Sequence, residues 1–367
     1  ELLGRWFVDA DGLQQLGDLR DRLVGPAPGG AQLVADSKRL VLSDMLSADL
    51  NRATDAFMNL CESLRRFRDV TRHELHEILR EVVVAYPVYR TYVAPGAAAG
   101  ERDLALVSTV VGGVTAARPD LDAEVLDLLG SILSGRLDAS VPEAPTVRAR
   151  VEQLTGPAMA KGKEDTAFYR DVRLLSRCEV GADPFASGLD TRELHAELLQ
   201  LHELQPATMT TLSTHDTKRS EDVRARLSVL SELPERWAEV ASAAMARLDE
   251  LDATGGVDER TRYLLLQTAV GAHPVTEDRL HAFAEKAVRE AKDHTSWTRP
   301  DEAYEQAVHD LVAAMSDDDT LQAMLGGFVA DELDGPGRQV AIAQKVLQLL
   351  VPGVPDLYWG SEDWHLR

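Results

Sequence analysis

The chain has 367 residues, 44% of them hydrophobic and 27% charged, enough to bury a core in about two or three domains or in one large domain with insertions. Its 39 Lys and Arg against 61 Asp and Glu leave a net charge of −22. That balance opposes a phosphate backbone or an anionic membrane surface and leaves a neutral polyhydroxy ligand open, so neither nucleic acid nor membrane is expected as a partner.

Residues 1–30 predict a short strand-like piece and then a helix, closed by the Gly/Pro loop at 25–30. From about 34 to 85 the apolar residues Leu40, Met45, Leu46, Leu50, Phe57, Leu60, Leu64 and Phe67 recur at helical spacing. They predict two long helices with an N-cap at Thr71. Pro87 closes that pattern, and "VYRTYV" (88–93) alternates β-branched and aromatic residues as a strand does. A small flexible loop is expected at 94–100. Helices follow over about 101–117, 121–135 and 144–155, with starts near Asp120 and Pro142; "QLTGPAMAKGKEDTAFYR" (153–170) reads as a Gly-bearing loop entering a short strand or turn. A helix at 191–203 precedes "PATMTTLST" (206–214), the strongest strand of the chain. Helices at about 219–231, 234–252, 258–270, 277–292, 300–316, 319–332 and 337–350 lead to "VPGVPDLYWGSEDWHLR". Few, widely spaced strands, each followed by helices, are the α/β order of a parallel barrel or doubly wound sheet with inserted helices. Four candidate strands do not close an eight-stranded barrel.

Three stretches carry candidate chemistry. In "STHDTKR" (213–219), His215 and Asp216 fall just past a strand end, where barrel loops place catalytic groups. The alternative is that Asp216 or Thr217 caps a helix that begins near Arg219, and on local sequence alone that is the better supported reading. "AKGKEDTAFYR" (160–170) gathers Lys161, Lys163, Glu164, Asp165, Tyr169 and Arg170, a set suited either to sugar hydroxyls or to a solvated charged loop. "GVPDLYWGSE" (353–362) suits a short buried strand with Glu362 at its rim, or a plain strand end. "HELHE" (73–77) lacks the H-E-x-x-H zinc spacing, and no glycine cluster forms a phosphate loop, so neither metal nor cofactor is expected. Cys61 and Cys178 share no spacing motif and are expected as free, buried thiols in a reducing cytoplasm. Starting at Glu1 without Met suggests a truncated or processed chain, or a mobile start.

Taken together and in this order, "YPVYRTYV" (86–93), "QLTGPAMAKGKEDTAFYR" (153–170), "EVGADP" (179–184), "STHDTKRSEDVRARLSVLSELPERW" (213–237) and "VPGVPDLYWGSE" (351–362) resemble characteristic segments of the maltooligosyl trehalose synthases, a family of the α-amylase superfamily. "KRLVLSDMLSADLNR" (38–52) also resembles the first long helix of that family's helical insertion. The resemblance implies a predominantly helical α/β chain: late strands of a (β/α)8 barrel, incomplete here, with a large helical insertion. It divides the chain into 1–86 (helical insertion), 87–214 (barrel strand, more insertion and substrate loop) and 215–367 (late strands and helices). The implied activity converts the reducing-end α-1,4 linkage of a maltooligosaccharide into an α,α-1,1 linkage, with maltodextrin as partner.

In that reading Asp216 is a carboxylate that grips the hydroxyls of the reacting sugar, and His215 hydrogen-bonds the same sugar. Lys218 lines the acceptor subsite; Tyr169 and Arg170 help hold the glucose that rotates before re-attack. Arg219, Lys161, Glu164, Asp165, Phe168, Tyr89 and Arg90 complete the implied substrate-binding set. The family's nucleophile (in an R-x-D-H-type segment) and its acid/base glutamate (in a V-E-K-like context) have no counterpart in these residues. The chain is therefore expected to be inactive alone, or to work with a companion chain that supplies the missing strands. A non-catalytic α-glucan-binding module is the alternative. Lys163, Asp171 and Trp359 depart from residues usual in the family.

Overall fold

A computed structural model describes residues 1–94, 96–97, 99–252 and 255–366; Pro95 and Ala98 of the loop expected at 94–100 lie outside the described residues. Packing divides the chain into two compact units: Glu1–Ala27 with Phe168–Arg367, and Pro28–Ala167. These units cut across the sequence divisions at 86/87 and 214/215.

The first unit opens with α1 (Leu2–Trp6) and α2 (Ala10–Val24). The start of the chain is thus helical where a strand-like piece was expected. Asp9 accounts for the break between the two helices, because its carboxylate accepts the Gly12 N–H at 2.6 Å and caps α2.

The second unit holds α3 (Gly30–Ser43), α4 (Ser47–Ser63), α5 (Arg72–Ala85), α6 (Glu101–Ala117), α7 (Ala123–Leu133) and α8 (Ala144–Ala158), continued by a π-helical segment, Met159–Ala167. Thr71 caps α5 as expected, accepting the Glu74 N–H at 3.2 Å. Residues 34–85 form three α-helices rather than two, because Asp44 leaves helical geometry and ends α3. The core is apolar side chains such as Phe57, Leu60, Ile78, Val82, Leu129 and Val147, whose burial supplies the main stabilising term.

Two expectations in this unit are corrected. The "VYRTYV" segment forms no strand among the described residues. Its polar groups turn to α8 instead: Arg90 pairs with Glu152 at 2.9 Å, and the Thr91 hydroxyl donates to the same carboxylate at 3.0 Å. Residues 153–167 are helical and not a loop. Gly162 makes that possible, since a Cβ there would lie 2.7 Å from Lys38 Cγ and 2.8 Å from Lys38 Cα of α3. Lys38 itself is buried and donates to Val84 O (3.2 Å) and Tyr86 O (2.6 Å), closing the carbonyl end of α5. Burial and the nearby Lys163 charge push its ammonium down to about 8.

The first unit resumes with α9 (Phe168–Arg170), α10 (Thr191–Leu204), β1 (Met209–Thr211), α11 (Glu221–Ser228), α12 (Pro234–Leu251), α13 (Glu259–Gly271), α14 (Glu277–Ala291), α15 (Glu302–Asp317), α16 (Asp319–Phe328), α17 (Asp334–Leu350) and β2 (Val354–Asp356). Asp190 and Glu193 form a capping box at α10, while Asp258, Asp301 and Asp318 cap α13, α15 and α16. At the centre of the core Trp237 stacks on Phe328, centroids 5.7 Å apart, and donates to the Tyr263 hydroxyl at 2.9 Å. β1 and β2 pair in parallel, with Met209 opposite Val354, Thr210 opposite Pro355 and Thr211 opposite Asp356. The strand expected around "LYW" ends at Asp356; Leu357 and Trp359 lie beyond it and are exposed rather than buried. Cys61 and Cys178 are free and buried, and burial pushes the Cys61 thiol up to about 11. Among the described residues, no helix is long and apolar enough to cross a membrane, and no group of three or more His, Cys, Asp and Glu could hold a metal ion.

Candidate functional site

Parallel pairing of β1 with β2 brings two of the sequence motifs to one end of the strand pair. Beyond β1 the chain makes a tight turn at Thr214–Thr217, closed on itself by the Thr217 hydroxyl donating to Thr214 O at 2.8 Å and by Asp216 N–H donating to Thr214 Oγ1 at 3.2 Å. The turn projects His215 and Asp216 outward. Their side chains are 81% and 70% exposed, and His215 Nε2 sits 3.2 Å from Asp216 Oδ2.

Neither Asp216 nor Thr217 caps a helix. That role falls to Ser220, whose hydroxyl accepts the Val223 N–H at 3.3 Å. The helix-cap explanation of "HDT" therefore does not hold, and Asp216 has no structural task of that kind.

His215, Thr217 and Lys218 line a cleft of about 280 Å³ together with Tyr358, Trp359 and His365 from the segment after β2. Trp359 is 79% exposed at its edge. The two walls are tied beneath the cleft by the Ser220 hydroxyl donating to His365 O (2.6 Å) and by His365 N–H donating to Asp222 Oδ2 (2.7 Å). Burial pushes the Asp222 carboxyl up. An imidazole and an aromatic ring on one cleft, with the exposed Asp216 carboxylate beside the imidazole, can offer hydrogen bonds and a stacking face to a neutral sugar.

The other candidates divide between the two units. In the unit that holds the cleft, Lys218 places its ammonium 5.6 Å from the Tyr169 ring centroid. Tyr169 and Phe168 are both buried, Tyr169 as part of the core. Arg170 turns to α14, donating to Ala291 O at 2.7 Å and pairing with Asp293 at 2.9 Å. Arg219 is only 5% exposed; its guanidinium lies over the Phe283 ring at 5.6 Å, and none of its nitrogens makes a hydrogen bond. In the other unit Tyr89 donates to Glu164 at 2.5 Å, Lys161 pairs with Asp165 at 2.6 Å, and Arg90 pairs with Glu152.

One residue of this site escaped the motif reading although its segment, "EVGADP", was noted. Glu179 is buried and accepts the backbone N–H groups of Lys218 (2.8 Å) and Arg219 (3.1 Å). Nothing local to the motif signals that contact, which joins residues some forty positions apart.

No family model matches the chain. Among solved structures, maltooligosyltrehalose synthase from Arthrobacter ramosus superposes with a TM-score of 0.84 at 35% identity, covering 99% of this chain and 44% of that one. The DSM5389 glycosyltrehalose synthase gives a TM-score of 0.76 at 27% identity, covering 99% of this chain and 43% of that one. The fold is therefore of the class found in glycosyltrehalose and maltooligosyltrehalose synthases. Curated proteins named maltooligosyl trehalose synthase from two strains of Mycobacterium tuberculosis are 44% identical over 236 residues, 62% of this chain and 29% of theirs. In sequence and in fold, then, the chain is similar to part of the maltooligosyl trehalose synthases, as its ordered motifs indicated. It spans less than half the length of these relatives.

Proposed function

We propose that this chain is a section of a maltooligosyl-trehalose-forming intramolecular transglucosylase, and that β1 and β2 are late strands of its (β/α)8 barrel with Pro28–Ala167 as the helical insertion. The observation that carries the reading is the exposed His215–Asp216 pair beyond the C-terminal end of a parallel strand, released from capping by Ser220, with His215 lining the same cleft as Trp359. Barrel enzymes build their sites at that end of the strands.

Moving a glucosyl bond passes through an oxocarbenium-like transition state, which hydrogen bonds to the ring hydroxyls stabilise. Asp216, open to solvent, accepts from two such hydroxyls; His215 beside it contributes a further hydrogen bond. Lys218 and Trp359 wall the cleft, so that the released sugar rather than water meets the activated carbon. A retaining exchange also needs a nucleophilic carboxylate and an acid roughly 5–5.5 Å apart. Of the two carboxylates lining the cleft, Glu221 is held by the Ser213 hydroxyl at 2.9 Å and by Lys345 at 2.6 Å, and Asp222 accepts the His365 N–H at 2.7 Å; the reading therefore assigns the nucleophile and the acid to a part of the enzyme outside this chain. The expected result is that the purified chain binds maltoheptaose weakly and yields no trehalose-type product from maltopentaose. Product formed by the chain alone would overturn this assignment.

The exposure of Trp359 favours one second reading, a non-catalytic α-glucan-binding module. Calorimetry separates the two: binding that survives Asp216→Ala but is lost in Trp359→Ala identifies the module, and the reverse identifies the transglucosylase site.

A further inference from the structure

We infer that Glu179 is a positioning residue for the His215–Asp216 turn, working as a pair with Arg224; its bearing on glucan rests on the reading above. Asp216 is exposed and makes no contact with the protein interior that would aim its carboxylate. Its direction is set by the backbone that carries it, and that backbone is held from below.

Glu179 is 3% exposed. Its Oε1 accepts Val180 N–H at 2.9 Å and Lys218 N–H at 2.8 Å, and its Oε2 accepts Arg219 N–H at 3.1 Å. Arg224 approaches the same Oε2 with Nε at 3.9 Å, while its Nη2 donates to Leu212 O. One carboxylate–guanidinium pair, its carboxylate buried, thus holds both flanks of the turn: Leu212 where the chain leaves β1, and Lys218–Arg219 just before α11 begins. Side chains that must act at a fixed angle depend on such supporting contacts.

The chemistry requires a carboxylate. Three N–H donors converge on two oxygens, each with two lone pairs. Glutamine has the same shape but offers a single acceptor oxygen, and its amide would turn an N–H towards an N–H. It would also take from Arg224, whose side chain is 18% exposed, its paired carboxylate, which by itself destabilises. The double variant Glu179→Gln with Arg224→Met removes that complication and still lacks the acceptor.

The test uses the 367-residue chain, with amide hydrogen exchange read by mass spectrometry and maltoheptaose binding read by calorimetry. In Glu179→Gln and in the double variant, exchange of residues 213–219 should speed up by about tenfold or more, as expected for losing hydrogen bonds to a charged acceptor, with α12 to α15 unchanged. Maltoheptaose affinity should fall as it does in Asp216→Ala, and Glu179→Gln added to Asp216→Ala should cost nothing more, because both act through one carboxylate. Exchange at the wild-type rate in both variants would overturn the inference. So would exchange that rises equally in α12 to α15, which marks a general structural role, or a loss of affinity that adds to that of Asp216→Ala. If Asp216→Ala binds like the wild type, the glucan reading of the site fails instead, and the exchange data still decide whether Glu179 holds the turn.

Discussion

Arg219 shows how a residue's type can be legible while its situation is not. A basic residue beside a His-Asp pair reads naturally as a ligand contact, and Arg219 does line the cleft, but its guanidinium is buried without a hydrogen bond and lies over the Phe283 ring. A cation over an aromatic face recovers about 2 kcal/mol when desolvated, less than the several kcal/mol that desolvating an ion costs. Arg148 is the contrasting case: equally buried, it pairs with Asp138 through two bonds of 2.7 and 2.8 Å. Arg219→Met should therefore stabilise the chain by about 1–3 kcal/mol, whereas Arg148→Met should destabilise it by about 3–5 kcal/mol, because the Asp138 carboxylate is left unpaired. Urea unfolding of the two variants checks the opposite signs, and a destabilised Arg219→Met would mean that the guanidinium is satisfied within the fold. Asp216 and His215 were legible because their neighbours in sequence set the turn. Glu179 was not, since its partners are distant in the chain and meet it through backbone N–H groups that leave no trace in residue type.

At the scale of elements, helical periodicity located nearly every long helix, and caps such as Thr71 confirmed the starts. The failures share a cause. "VYRTYV" has the alternation of a strand, but its arginine and threonine are drawn to Glu152 of α8, and propensity yields to that tertiary contact. "AKGKEDTAFYR" looks like a loop because glycine and paired charges are loop residues. Here the glycine answers a packing need instead: α3 passes so close that only hydrogen fits at Gly162. The flanking charges satisfy each other along the helical surface, as Lys161 with Asp165 does across one turn. Gly162→Ala should force α3 from the π-helical segment and cost about 1–3 kcal/mol, the usual penalty for overpacking. Gly113→Ala on α6, where a Cβ meets nothing within 4 Å, should be neutral or stabilising by comparison. Equal melting temperatures for the two variants would remove close packing as the reason for Gly162.

For the whole molecule, length and composition announced a buried core and room for two or three domains or one large one, but not where the cores divide. The division follows from which helices share apolar contacts. In the segment Pro28–Ala167, residues from Leu42 to Ala158 form one continuous cluster, so each helix there covers the apolar face of a neighbour. The remaining residues, from both ends of the chain, form the other cluster around Trp237 and Tyr263. A contiguous stretch with its own core and side-chain caps, Thr71 on α5 and Asp122 on α7, meets the conditions for independent folding. Residues 28–167 expressed alone should accordingly give a helical circular dichroism spectrum and a single cooperative urea transition. The Glu1–Ala27 and Phe168–Arg367 pieces each supply only part of their cluster, and neither should fold without the other. A non-cooperative, dye-binding state for residues 28–167 would show that its helices depend on the rest of the chain for their packing.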